Sequence, residues 1–103
     1  MMNSDILIMC GLGGIYVEVF NDVVFKLSPV INVEAEEMLS SLKASPLLNG
    51  VRGETGVDRK RLIEIIQRVS QLVADVPEVR EMDLNPLVAF EDSIFIVDAR
   101  ISL

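Results

Sequence analysis

Residues 6–10 (Ile-Leu-Ile-Met-Cys) form a continuous apolar run, the pattern of a strand covered on both faces. Gly11-Leu12-Gly13-Gly14 breaks it. From Ile15 to Phe20 the sides alternate, with Tyr16, Glu18 and Phe20 on one and Ile15, Val17 and Val19 on the other. This pattern predicts a second strand. Asn21-Asp22 suits a two-residue hairpin turn, though without the favoured Gly. Val23 to Leu27 is then the return strand, closed by Pro29.

The period changes after Pro29. Ala35, Met38, Leu39 and Leu42 follow helical spacing. Asn32 is placed to cap this helix, and Glu34, Glu36 and Glu37 lie near its electropositive start. Ser45-Pro46 ends it, and a loop over residues 48–56 follows with three of the six glycines. Asp58 is a second cap candidate. Leu62, Ile65, Ile66, Val69, Leu72, Val73 and Val76 make an apolar helical stripe that stops before Pro77, opposite a face of Arg59, Lys60, Glu64, Gln67, Arg68 and Gln71.

The last segment returns to strand. Residues 82–90 lead to a polar turn at Glu91-Asp92-Ser93, and Ile94 to Ile101 form the returning strand. No repeat, low-complexity stretch or linker interrupts the chain. Strands at both ends with helices between them predict an α+β fold: a mostly antiparallel sheet with two helices packed on one face. The 103 residues form a single domain, 1–103.

Composition narrows the chemistry. There is no His and one Cys, which excludes Ser-His-Asp and Cys-His nucleophile systems, His-ligated zinc, internal disulfides and cysteine clusters. A single Cys also fits a reducing, cytoplasmic setting. Sixteen acidic and nine basic side chains give a net charge of −7, the wrong sign for a general nucleic-acid binder. The apolar run of residues 6–17 lacks a preceding Lys or Arg and ends at Glu18. It therefore reads as core, being neither a secretory signal nor the ~20 residues of a membrane span.

The final hairpin holds the most informative polar residues. If Glu91-Asp92 is a two-residue loop, the numbers of opposed residues add to 183. Asn85 then faces Asp98, Asp83 faces Arg100, and Leu87 faces Ile96. Opposed side chains have Cβ atoms about 4.5–5.5 Å apart, so an amide oxygen and a carboxylate could share one hard cation such as Mg²⁺. A three-residue loop would put Asp98 on the opposite face from Asn85. A four-residue loop would restore the shared face with the two residues diagonal. The plainer alternative is a cross-strand Asp83–Arg100 ion pair with Asp98 solvated.

The Gly11–Gly14 run follows an apolar stretch, as phosphate-binding loops do. A dinucleotide fingerprint needs a helix after the glycines, and the alternation of residues 15–20 points to a bend between strands instead. Glu18 is either a functional acid on a sheet face or an exposed edge residue. Cys10 reads as packing.

Five stretches together resemble one family. They are residues 11–18 (Gly-Leu-Gly-Gly-Ile-Tyr-Val-Glu), 46–54 (Pro-Leu-Leu-Asn-Gly-Val-Arg-Gly-Glu), 69–72 (Val-Ser-Gln-Leu), 82–87 (Met-Asp-Leu-Asn-Pro-Leu) and 97–100 (Val-Asp-Ala-Arg). In this order they are similar to the ATP-grasp domain of the NDP-forming acyl-CoA synthetases, the family of the ADP-forming acetate–CoA ligase β subunit. Succinyl-CoA synthetase β chains are more distant relatives.

The resemblance implies the reversible reaction of acyl-CoA, ADP and phosphate to acid, ATP and CoA, through acyl-phosphate and phosphohistidine intermediates. It implies ATP or ADP and Mg²⁺ as ligands. Asn85 and Asp98 would hold the metal, with Asp83 as a supporting acid. Gly13, Gly14 and Glu18 would line the nucleotide side. It assigns no task to Arg52.

The resemblance covers about the C-terminal half of the family's ATP-grasp domain. The family's adenine-binding hinge and phosphate-contacting basic residues lie upstream, and no His is present for the phosphohistidine step. The expectation is thus a partial ATP-grasp domain, inactive alone. Its partners would be the missing ATP-grasp half and a CoA-binding α subunit or domain, in a cytoplasmic homo- or hetero-oligomer without membrane or nucleic-acid contacts. The alternative is a non-catalytic remnant that serves folding or oligomerisation.

Overall fold

The computed structural model describes residues 6–13, 18–49, 56–84, 87–89, 94–96 and 99–102. The apolar run forms β1 (Leu7–Gly11), which pairs antiparallel with β2 (Val23–Leu27) from Leu7 opposite Leu27 to Gly11 opposite Val23. The Ser28 N–H donates to the Ile6 carbonyl at 2.8 Å and extends the ladder by one step.

This pairing corrects the expected hairpin of residues 15–27. Residues 15–17 lie outside the described residues, but Glu18 is helical and Val19 and Phe20 form a turn. The partner of β2 is β1. The reason lies at Asp22, which is 4 % exposed. Its carboxylate accepts the backbone N–H groups of Lys43 and Ala44 at 2.7 and 2.8 Å. An Asp turned inward to hold the end of a helix cannot serve as a solvated hairpin turn. Asn21 takes a left-handed conformation, with φ of 52°, one that Asn tolerates well.

Helix α1 (Asn32–Ser41) begins one residue earlier than an Asn32 cap requires, since Ile31 is the cap residue. The side chain of Glu34 reaches back to accept the Ile31 N–H at 3.2 Å, so the acid supplies what the cap side chain cannot. The helix stops when Leu42 turns extended, and a 3₁₀ turn spans Ser45–Asn49. Helix α2 (Arg59–Asp75) starts as its sequence predicts, with the Asp58 carboxylate accepting the Arg61 N–H at 3.1 Å. Arg59 ties this start to α1, donating to Glu36 at 3.1 Å and to Ser40 at 2.6 Å.

The stretch between the 3₁₀ turn and α2 is pinned at its base. The Val57 N–H donates to the Leu48 carbonyl at 2.9 Å. A Cβ on Gly56 would lie 2.5 Å from that same carbonyl oxygen, so only glycine allows the approach.

The core joins Ile8 of β1, Val30, Ala35, Met38 and Leu39 of α1, Leu48, and Ile63, Ile66 and Val73 of α2. Cys10, Val24 and Met82 pack against it. Both helices therefore cover the same face of the β1–β2 ladder. The α2 stripe is rotated from the expected one. Ile63 and Ser70 are buried while Leu72 is 42 % exposed. Ser70 sits in the interior because its hydroxyl accepts the Val30 N–H at 2.7 Å.

Beyond α2 the chain forms an antiparallel ribbon in two stretches. β3 (Glu81–Leu84) pairs with β6 (Ala99–Ser102), and β4 (Leu87–Ala89) pairs with β5 (Ile94–Ile96). The fold is α+β, and every described ladder is antiparallel. The described ladders are three separate two-stranded sheets rather than one continuous sheet. The molecule is elongated, with extents of 49 × 26 × 26 Å.

Candidate functional site

The described ribbon ladders give the register on either side of the candidate metal ligands. In the β3–β6 ladder Asp83 lies opposite Arg100 and Leu84 opposite Ala99. In the β4–β5 ladder Leu87 lies opposite Ile96 and Ala89 opposite Ile94. Both ladders keep the same register, with paired residue numbers adding to 183. This is the register a two-residue turn requires, and it differs from that of a three-residue turn. Asp83 and Arg100 are exposed, and Met82 alternates inward to the core.

Asn85 and Asp98 lie outside the described residues, as do Gly14 and Arg52. Among the described residues, no group of three or more acidic or thiol side chains gathers closely enough to hold a metal ion. Asp83, on β3, brings an exposed carboxylate to the ribbon. Oxygen-only ligands with one or two carboxylates are what Mg²⁺ takes.

The glycine segment presents a different geometry. Gly13 follows β1, and a Cβ there would meet nothing within 4 Å. The position opens to space rather than to a close backbone neighbour. Glu18 is exposed and helical, so it does not sit on a strand face. Asp22 then fixes the end of this connection to the end of α1. The pattern did not reveal this anchor, because an Asp between two apolar runs looks the same whether it faces water or backbone donors.

Burial pushes the Cys10 thiol above its ordinary pKa, keeping it protonated and unreactive at neutral pH. No described helix is long and apolar enough to cross a membrane.

Residues 6–103 match the family model of the ATP-grasp domain. The chain is 52% identical over 98 residues to an ADP-forming 4-hydroxybutyrate–CoA ligase of Nitrosopumilus maritimus, covering 93% of this chain and 14% of that protein. It is 46% identical over 96 residues to the β subunit of the ADP-forming acetate–CoA ligase I of Pyrococcus furiosus, covering 93% of this chain and 41% of that subunit. Among solved structures it matches the apo form of the dinucleotide forming acetyl-coenzyme A synthetase 1 of Ca. Korarchaeum cryptofilum. That match has a TM-score of 0.90 and 41% identity, and it covers 94% of this chain and 46% of that one. A structure of the same protein with coenzyme A and Mg-AMPPCP matches with a TM-score of 0.89. The chain thus spans under half the length of each of these relatives.

Proposed function

The chain belongs to the ATP-grasp family, beside the ADP-forming acyl-CoA ligases, and on that premise we propose that it supplies the Mg²⁺-nucleotide half-site of such a ligase. The overall reaction would be that of acyl-CoA, ADP and phosphate to acid, CoA and ATP, in either direction. Activity would require the further chain that the full-length relatives carry, together with a CoA-binding α subunit or domain. These would form one oligomer in the cytoplasm, where nucleotide and acyl-CoA occur.

The observation that carries this reading is the common register of the two ribbon ladders. A strand pair in that register would oppose Asn85 and Asp98, with one amide oxygen and one carboxylate available to a single cation. Asp83 would orient or supplement that pair. When bound, Mg²⁺ would offset the charge on the nucleotide's phosphates. Gly13 and Gly14 would let the backbone approach the nucleotide, and Glu18 would lie on the same side. With a net charge of −7, further cations to meet the phosphates would come from the additional chain.

The test is a calorimetric titration of Mg-ADP into the chain, alone and mixed with the segment of the P. furiosus β subunit that the match leaves uncovered. Millimolar or tighter binding that both Asn85→Ala and Asp98→Ala weaken at least tenfold is the expected result. Binding that is indifferent to both substitutions, or no binding in either setting, overturns the proposal. The second outcome would favour the non-catalytic remnant.

A further inference from the structure

Residues 12–22 join β1 to β2, where a hairpin of adjacent strands usually needs only about two to five. A connection this long needs an anchor. Leu12 supplies one at its start by packing against the core. At its end the usual burial is inverted. Glu18, Val19, Phe20 and Asn21 are exposed, Val19 and Phe20 by 67 and 57 %, while Asp22 is buried. Packing therefore does little to place this stretch. What places it is the Asp22 carboxylate, which accepts from the Lys43 and Ala44 N–H groups in charge-assisted bonds, stronger than neutral ones. Those donors are a firm post. They lie between Leu42, which is 2 % exposed, and the 3₁₀ turn, whose buried Leu48 is in turn held by Val57.

We propose that Asp22 is a positioning residue for nucleotide: through this tether it sets where Gly13 and Glu18 stand. The inference rests on the half-site reading above, in which those residues line the nucleotide side. Burial keeps Asp22 itself from the nucleotide, so it acts through the segment whose end it holds. Asn in its place would have the same shape but one acceptor oxygen for two donors, and its amide NH₂ would face a backbone N–H. The segment would lose half of this anchor and sample other positions, and nucleotide would have to order it on binding. Linkage makes the effect reciprocal. If the tether favours nucleotide, bound nucleotide must favour the tether, and opening at Lys43 and Ala44 becomes rarer by a similar factor. A carboxylate that served stability alone would show no such response.

The test measures Mg-ADP binding by calorimetry for the full chain, alone and mixed with the uncovered segment of the P. furiosus β subunit. Asp22→Asn should weaken binding at least fivefold. Ser70→Ala, which removes the acceptor of the Val30 N–H in the interior, should destabilise the fold yet leave binding within twofold. Hydrogen exchange supplies the second readout. In the unmodified chain, saturating Mg-ADP should slow exchange of the Lys43 and Ala44 amides at least threefold. Binding by Asp22→Asn within twofold of the unmodified chain overturns the proposal, and so does an equal loss in Ser70→Ala or exchange indifferent to Mg-ADP. Circular dichroism checks folding, and if Asp22→Asn does not fold, the exchange result decides alone. Binding that needs Asn85 and Asp98 but not Asp22 overturns the positioning role and spares the half-site. No binding by the unmodified chain in either setting overturns both.

Discussion

The two halves of the molecule are held together in different ways. From β1 to α2 the chain is packed: side chains of two helices, a strand and the 3₁₀ turn share one interior. In the ribbon from β3 to β6, position is set by backbone pairing, and the described residues reach that interior mainly through Met82. Among the described candidate residues, Asp83 is on the ribbon while Gly13 and Glu18 lie between β1 and β2, and the residues that supply stability are in the packed half. A ladder register is discrete, so a thin ribbon can still hold two side chains opposite one another with little help from burial.

Substitutions should separate the halves. Met38→Ala, at a site 1 % exposed, should cost about 2–5 kcal/mol through lost burial and the cavity left behind. A lower urea midpoint with an unchanged slope would show it. Asp22→Ala removes the acceptor of two backbone N–H groups and should cost about 1.5–3 kcal/mol by the same measurement. Asp83→Ala, on the exposed side of the ribbon, should change stability by no more than about 0.5 kcal/mol while weakening Mg-ADP binding. A large stability loss there would show that the ribbon is braced by side chains after all.

The smallest effect is on pH dependence. Burial raises the Cys10 thiol pKa in the folded state. Below the ordinary thiol range both states keep the proton and stability is complete. As pH rises through that range the unfolded chain loses its proton first, so stability falls until the folded value is passed. Cys10→Ala should flatten this alkaline decline relative to the unmodified chain.

Much of this division is legible in the sequence. The spacing of Ala35, Met38, Leu39 and Leu42 marks residues that are all 2 % exposed or less. Asp58 caps the helix that its position predicts, and the arithmetic of the final hairpin matches the observed register. These signals are local, involving neighbours on one helix or across one turn. The errors arise where distant backbone decides. Residues 18–20 carry a strand-like alternation, but β2 already has β1 as its partner. Ser70 looks like a surface residue until the Val30 N–H, forty positions away, is brought to it. Asp22 is misread for the same reason, since its donors are on Lys43 and Ala44.

The clasp between Leu48 and Val57 has a consequence for engineering. Its hydrogen bond closes the chain on itself at 2.9 Å, whatever residues 50–55 do. The entropy of closing such a loop grows only slowly with its length, by about 0.6 kcal/mol per doubling. Extra residues inserted between the two ends should therefore leave the interior nearly unaware of them, provided Gly56 keeps its place against the Leu48 carbonyl. That makes the clasp a natural port for a fluorescent reporter of assembly, attached to the stable half and far in sequence from the ribbon.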